Sequence, residues 1–191
     1  SFIVAWPTAI VAVFFCASTT RSFSMCARFL CARLVTLMKD LMSSFTELGL
    51  AEPLLRAVSS LGYEKPTPIQ AQVIPKMIAG LDIIGIAQTG TGKTAAFVLP
   101  ILNRLANQKL GHVEGPKPGS RAFTTLILAP TRELAQQIAD SIREYGKFMK
   151  PRVGLVVGGA NPTPQIRALA TGVDIVVATP GRLLDHMRSG R

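Results

Sequence analysis

The sequence predicts an α/β domain with a parallel sheet flanked by helices. Short apolar runs, typical of strands buried on both faces, alternate with segments whose apolar residues recur at helical spacing. One of these runs leads directly into a glycine-rich turn and then a helix, the order of elements that a phosphate-binding loop requires. The chain has 191 residues, 48% of them hydrophobic, which is enough for one domain with a substantial core.

The glycine-rich turn is Ala87–Thr94. Gly90 and Gly92 let the backbone come close to a phosphate, and the following helix adds its positive N-terminal end. Lys93 can reach the outer phosphates, and the Thr94 hydroxyl suits a magnesium ion. The first position is alanine where the strict motif has glycine, so a turn that binds nothing is the alternative.

The charge balance indicates an anionic partner. The formal net charge is +10, which fits nucleic acid better than an acidic small substrate. A basic surface that serves solubility alone is the other interpretation.

Residues 1–41 differ from the rest of the chain. Residues 1–20 carry no charge, and basic residues follow with no acid before Asp40. Three alternatives are open for this segment. A membrane span would have Pro7 inside it, and a secretory signal would have its basic residues before its apolar core, whereas here they follow it. An organellar transit peptide would not begin with an apolar run. We favour translated sequence upstream of a natural start at Met42, and we expect residues 1–41 to lie outside the α/β core.

Cysteine usage points to a reducing compartment. The three cysteines, Cys16, Cys26 and Cys31, all lie in this first segment, in odd number and at no metal-ligand spacing. The remaining sequence has none. We therefore predict a cytoplasmic protein with no stable membrane partner.

The remaining elements follow from periodicity and from turn residues. The predicted helices cover residues 51–61, 67–79, 95–107, 131–148, 164–170 and 180–187. The predicted strands cover residues 83–86, 124–129, 152–157 and 173–178, and residues 108–121 read as an exposed loop.

Four predicted strands end in unusual turns. These turns are 87–94, 130–132, 158–159 and 179–182, and each offers backbone N–H groups, small residues or an arginine. Because ligands of open α/β sheets bind beyond the carboxyl ends of the strands, we expect the turns to meet at one edge.

Together with residues 62–70, these turns closely resemble motifs of the DEAD-box RNA helicases, and the resemblance covers residues 43–191. The sequences of residues 45–50 and 87–94 are most similar to those of the bacterial E-type members. In that family residues 62–70 would be the adenine-specifying Q motif and 87–94 motif I, where alanine is the usual first residue. The resemblance implies a RecA-like P-loop NTPase domain.

The resemblance implies ATP and Mg²⁺ as cofactors. Gln70 would read the adenine edge, because an amide matches adenine's neighbouring donor and acceptor, and Phe45 would stack on the base. The alternatives are an exposed glutamine on a helix face and an ordinary core phenylalanine. Lys93 and Thr94 would act in catalysis, with Thr94 on the metal. The full predicted nucleotide set is Phe45, Tyr63, Lys65, Thr67, Gln70, Gln88, Thr89, Gly90, Thr91, Gly92, Lys93 and Thr94.

The resemblance also implies RNA as a partner, bound through its backbone without regard to sequence. The residues implied are Pro130, Thr131, Arg132, Gly158, Gly159, Thr179, Pro180, Gly181 and Arg182. The alternative for the two arginines is a solvated charge. Glu133 is more simply a carboxylate in the first turn of a helix.

The sequence departs from the family pattern in one important respect. The Asp-Glu-Ala-Asp motif is absent, as are the Ser-Ala-Thr motif and the second RecA-like domain with its arginine finger. Asp174 begins its strand and so points to the wrong edge. We therefore expect an extension over 1–41, a Q-motif region over 42–71 and a partial, C-terminally truncated RecA-like domain over 72–191.

Three functions remain open. The first is an ATP-driven RNA-unwinding enzyme, and the second is a module that binds ATP and RNA without turnover. The third is another phosphate-loop protein such as a transport ATPase, against which Gln70 and the turn 179–182 argue.

Overall fold

The computed structural model describes residues 2–5, 10–13, 44–86, 88, 90–109 and 123–189. The described strands are β1 (Phe2–Ala5), β2 (Ile10–Val13), β3 (Ile83–Gly85), β4 (Thr125–Leu128), β5 (Val153–Val156) and β6 (Ile175–Ala178). The described α-helices are α1 (Glu52–Ser60), α2 (Pro68–Ile78), α3 (Lys93–Lys109), α4 (Arg132–Tyr145), α5 (Pro162–Ala170) and α6 (Pro180–Arg188), preceded by a 3₁₀ turn at Phe45–Leu48.

The described strands form one sheet in the order β3-β1-β2-β4-β6-β5. Strands β2, β4, β6 and β5 run parallel to their neighbours in this series, whereas β1 is antiparallel to both β3 and β2. The predicted α/β class with helices on a largely parallel sheet is confirmed, and a single antiparallel strand interrupts it.

The prediction that residues 1–41 lie outside the core is wrong for β1 and β2. Ile3 lies opposite Ile84 in β3, and Val11 lies opposite Ile127 in β4. The two segments join a sheet because strand pairing uses backbone donors and acceptors, which need no sequence motif. Residues 14–43 lie outside the described residues, so for them the prediction stays a prediction, as does the start at Met42.

Element boundaries elsewhere agree with the sequence to within a few residues, and the differences have local causes. Helix α5 begins two residues earlier than predicted, because Asn161 accepts a hydrogen bond from the Thr163 backbone N–H and Pro162 fits the first turn. Helix α4 ends at Tyr145, and residues 146–149 form turns. Most of the predicted loop 108–121 lies outside the described residues.

Helices cover both faces of the sheet. On one face the main core joins α1 to α4 with the sheet, and its largest fully buried side chains include Phe97, Leu102, Ile138 and Ile175. On the other face a smaller cluster packs Leu169 of α5 and Leu183 of α6 against Val156, Val176 and Ala178. This layering leaves the carboxyl ends of the strands open for a ligand.

A buried asparagine connects the segment before α1 to α3. Asn103 Oδ1 accepts a hydrogen bond from Ala51 N at 2.7 Å, and its Nδ2 donates to Gly49 O at 3.3 Å. Since Asn103 sits on the helix that follows the glycine-rich turn, this pair of bonds fixes the start of the domain relative to that turn. Among the described helices, none is both long enough and apolar enough to cross a membrane.

Candidate functional site

The glycine-rich turn occupies the carboxyl end of β3 and leads into α3 at Lys93. Gly90 and Gly92 both have φ of 80°, a left-handed conformation that favours glycine. A side chain added to Gly90 would meet no atom within 4 Å, so the turn has open space beside it. Ala87 and Thr89 lie outside the described residues.

Lys93 lies at the first position of α3, with its ammonium folded back on the turn. Its Nζ donates to the Gln88 carbonyl at 2.6 Å, and Thr91 Oγ1 donates to the same oxygen at 2.8 Å. A lysine ammonium, a helix N-terminus and left-handed glycines together form a site suited to phosphate oxygens. Thr94 follows in the first turn of α3 and is half-buried.

Gln70 is bonded to this turn. Its Oε1 accepts from the Thr67 backbone N–H at 2.9 Å, and its Nε2 donates to the Gly92 carbonyl at 3.2 Å. Thr67 adds a second link, because its Oγ1 donates to the Thr91 carbonyl at 2.9 Å. Gln70 is only 2% exposed, so the alternative of an exposed glutamine on a helix face is wrong.

Glycine at position 92 is favoured by its φ of 80° and leaves room for the Gln70 amide. A Cβ added there would overlap the Nε2 atom of Gln70. The start of α2 and the glycine-rich turn are therefore in direct contact, and a side chain at position 92 would displace the end of the Gln70 side chain.

Three further residues of the predicted nucleotide set lie elsewhere in the fold. Phe45 is 6% exposed and belongs to the main core, which favours the core alternative. Tyr63 is 46% exposed, and its ring centroid lies 6.3 Å from that of Tyr145, at the end of α4. Burial, followed by the hydrogen bond with Tyr63, raises the pKa of Tyr145. Lys65 is exposed on the connection before α2. Nucleotide contact by Phe45, Tyr63 and Lys65 stays a prediction.

Arg132 and the Gly158-Gly159 turn meet at the same edge of the sheet. Thr131 caps α4 by accepting from Leu134 N at 3.3 Å, and Arg132 is the first residue of that helix. The Arg132 guanidinium lies against Gly159, whose φ is 71°; a Cβ at Gly159 would overlap Arg132 Nη1. The two turns, from β4 and β5, are therefore in direct contact.

Arg182 joins this cluster from α6. Its Nε donates to Val157 O at 3.3 Å and its Nη2 donates to Ala160 O at 3.1 Å. Thr179 N donates to Val156 O at 2.9 Å, and Pro180 opens the helix. A side chain added to Gly181 would meet nothing within 4 Å, so the surface beside the helix start is open.

One residue of this cluster escaped the sequence analysis. Gln165 Nε2 donates to Val157 O at 3.0 Å, the same carbonyl that Arg182 contacts. Its only signal in the sequence is its place at the start of a helix that follows the glycine pair.

Asp174, immediately before β6, lies at the opposite edge of the sheet, as predicted. Asp174 Oδ2 accepts from Arg152 N at 2.8 Å and its Oδ1 accepts from Arg152 Nη2 at 2.9 Å. This bond to Asp174 raises the pKa of Arg152. Within the described ranges, no group of three or more His, Cys, Asp and Glu residues is placed to hold a metal ion.

Comparison with known proteins finds strong relatives. The sequence profile of the DEAD/DEAH box helicase family matches residues 67–191. The chain is 48% identical over 154 residues to the ATP-dependent RNA helicase DeaD of Klebsiella pneumoniae, covering 80% of this chain and 22% of that protein. It is 49% identical over 146 residues to the ATP-dependent rRNA helicase RRP3 of Saccharomyces cerevisiae (strain ATCC 204508 / S288c), covering 76% of this chain and 27% of that protein.

A solved structure agrees with the sequence comparison. The crystal structure of a DEAD box protein from the hyperthermophile Methanococcus jannaschii superposes with a TM-score of 0.66 at 38% identity, over 78% of this chain and 38% of that one. The predicted RecA-like α/β fold is thereby confirmed. Profile, relatives and solved structure agree, and the chain belongs to the DEAD/DEAH box helicase family.

Proposed function

We propose that this chain binds ATP with Mg²⁺ and the RNA backbone, as the front part of the first RecA-like domain of an ATP-dependent RNA helicase. One observation carries the proposal. A glycine-rich turn bonded to Gln70, and a two-arginine cluster on a glycine pair, lie on the same carboxyl edge of one sheet. The first group suits a nucleotide and the second suits a phosphate backbone.

The residues at the turn fit a nucleoside triphosphate. Left-handed Gly90 and Gly92 and the start of α3 present backbone N–H groups, and Lys93 supplies a positive charge. On binding, Lys93 would exchange the Gln88 carbonyl for a phosphate oxygen, and the Thr94 hydroxyl would face the metal. Bound ATP with Mg²⁺ would supply the phosphoanhydride and the charge that neutralises it.

Adenine selection by Gln70 would use the same amide that is bonded to the turn. Both ends of its amide are already bonded, to Thr67 N and Gly92 O. One lone pair of Oε1 and one N–H of Nε2 remain to bind adenine's neighbouring donor and acceptor. Base selection and the shape of the turn are therefore coupled through one side chain.

RNA would bind at the cluster formed by Arg132, Gly158-Gly159, Thr179 and Arg182. The cluster consists of guanidinium groups and backbone N–H groups, which suit phosphate and sugar and do not distinguish bases. The net charge of +10 favours such a partner. Binding should therefore be indifferent to sequence and should weaken as salt rises.

We further propose that this chain does not turn over ATP. Its sequence contains no Asp-Glu-Ala-Asp run, and Asp174 is bonded to Arg152 at the opposite edge. The aligned part of the chain spans only 22% and 27% of the two curated relatives, and RNA unwinding is proposed for a protein of their full extent. A cytoplasmic location stays part of the proposal, supported by the absence of cysteine after position 31.

The test is ATP binding and phosphate release by the full chain. We expect a labelled ATP analogue to bind and Lys93→Ala to weaken it, with phosphate release no higher than that of Lys93→Ala, with or without RNA. A version extended through the Asp-Glu-Ala-Asp motif and the second domain should hydrolyse ATP and separate strands. Release above the Lys93→Ala control would show that another residue replaces the missing acid.

A further inference from the structure

We propose that Gln165 is a positioning residue that holds the Gly158-Gly159 turn in the shape that contacts RNA. The inference rests on the RNA binding proposed above and adds to it an uncharged residue that would not contact the ligand itself. It starts from the carbonyl of Val157, immediately before the glycine pair, which accepts hydrogen bonds from two different helices.

The Gln165 side chain is bonded to the backbone of the segment that connects β5 to α5. It sits in the first turn of α5, and its Nε2 reaches back to Val157 O at 3.0 Å. The side chain is 8% exposed, so this bond is shielded from water. A shielded bond of this kind restricts the backbone beside the glycine pair, where the two glycines would otherwise allow many conformations.

The same turn is held from two other helices. Arg182 of α6 bonds to Val157 O and Ala160 O, and the Arg132 guanidinium of α4 packs on Gly159. Both arginines are also candidates to contact phosphate, and their charges would draw them toward it. Gln165 is uncharged and buried, so it can hold the turn while the arginines bind the ligand.

The oxygen of the Gln165 amide makes a structural role distinguishable from a functional one by experiment. Its Oε1 is buried and has no hydrogen-bond partner among the described residues. A buried acceptor without a partner costs stability, so replacement by an apolar side chain of similar size would be neutral or stabilising for the fold. Only the Nε2 bond to Val157 would be lost, and its loss would loosen the turn.

The experiment compares Gln165→Leu with Gln137→Leu, an exposed glutamine on α4. Affinity of the full chain for labelled oligouridylate is measured by fluorescence anisotropy at several salt concentrations, beside the melting temperature and the affinity for an ATP analogue. We expect Gln165→Leu to weaken RNA binding about 3- to 10-fold, the size of one lost hydrogen bond. The melting temperature should stay the same or rise, and ATP affinity should not change.

The salt dependence identifies how the residue acts. A positioning residue binds no phosphate, so the slope of log K against log salt should be the same in Gln165→Leu and in the unmutated chain. Arg132→Ala should reduce that slope by about 0.7, the value for one phosphate contact on a single strand.

Each other outcome overturns the inference in a distinguishable way. If Gln165→Leu keeps full RNA affinity while Arg132→Ala loses it, RNA binds there but Gln165 does not position the turn. If affinity and melting temperature fall together, Gln165 serves the fold alone; Gln165→Met, which is unbranched, provides the measurement if the leucine variant does not fold. If the unmutated chain binds no RNA, the proposed function itself fails.

Discussion

The two halves of the carboxyl edge are held by different kinds of contact. We call the turn 87–94 with Gln70 the nucleotide half, and the cluster of Arg132, Gly158-Gly159, Thr179 and Arg182 the nucleic-acid half, after the ligands proposed for them. In the nucleotide half, the side chains that would meet the ligand are bonded to the turn's own backbone: Lys93 to Gln88 O, and Gln70 to Gly92 O. In the nucleic-acid half, Arg132 is exposed, and Arg182 uses two of the five N–H donors that a guanidinium carries. A nucleotide would therefore meet side chains whose hydrogen bonds also hold the turn, whereas an RNA backbone would meet one exposed arginine and a second with three N–H donors unused.

This difference has a consequence for binding. Displacing any of these internal bonds would cost part of the free energy gained from the ligand, so nucleotide binding should be coupled to the shape of the turn. The nucleic-acid half should bind with little change, since its glycine turn is held from three helices. Substitutions in the first half should alter loop shape and affinity together, and those in the second mainly affinity.

The largest effect is expected for Lys93→Ala. The variant loses the positive charge beside the phosphates, and a hydrogen bond to a charged group is worth enough to weaken ATP binding about 10- to 150-fold. RNA affinity should stay close to that of Lys147→Ala, a control that removes the same charge from the Phe148 ring on another surface. Unchanged ATP affinity, measured by titration with a fluorescent analogue, would remove the turn from the nucleotide site.

Gln70→Ala tests the coupling between base selection and the turn. Paired hydrogen bonds to adenine should favour ATP over GTP by about 5- to 150-fold, and the variant should lose this preference. Gln136→Ala, on the exposed face of α4, is the matched control. Equal affinities for ATP and GTP in the unmutated chain would contradict the adenine assignment.

The glycine pair provides a matched test of the nucleic-acid half. Alanine at Gly159 would be strained by its φ of 71° and would displace the Arg132 guanidinium. We expect RNA affinity to fall about 5- to 30-fold, from a left-handed strain of about 1–2 kcal/mol. Alanine at Gly158 would meet Arg132 Nε at 3.9 Å, an ordinary contact, and should be tolerated. A similar loss of RNA affinity in both variants would mean that the left-handed φ of Gly159 is not what RNA binding depends on.

The smallest effect concerns the strand beneath the nucleotide half. β3 pairs with β1, whereas the nucleic-acid half stands on β4, β6 and β5. Ile3→Pro, which removes a backbone donor from the β1 ladder, should lower ATP affinity slightly, raise hydrogen exchange at Ile83–Gly85 and leave RNA affinity unchanged.

A disulfide checks the register of that pairing directly. With the native cysteines replaced by serine, Ile3→Cys and Ile84→Cys should crosslink, because opposite residues of antiparallel strands lie within disulfide range. Val4→Cys with Ile84→Cys, one residue out of register, should crosslink far less. Equal yields, or none, would place β1 outside the sheet.

The elements that the sequence predicts well are those with both a local pattern and a following turn. Strands β4, β5 and β6 are apolar runs that end before Pro130, Gly158 and Thr179. The hydrophobic pattern and the turn residues therefore predict the same strand ends. The family motifs add the site residues, and the structure brings Gln70 to the turn at 87–94 and Arg132 to Gly159.

The parts that could not be predicted depend on contacts between distant residues. β1 and β2 have no motif, and their place in the sheet is set by pairing with β3 and β4, more than seventy residues away in sequence by the register Ile3 to Ile84. The burial of Phe45 and the bond from Gln165 to Val157 likewise arise only when helices pack. No period or composition rule signals such contacts.

The most direct test of the account is a double comparison of ATP and RNA affinity in Lys93→Ala and Arg132→Ala. If the edge has two separate halves, Lys93→Ala loses ATP and keeps RNA, and Arg132→Ala loses RNA and keeps ATP. If either variant loses both ligands while its melting temperature is unchanged, the two halves form one site and the account is wrong.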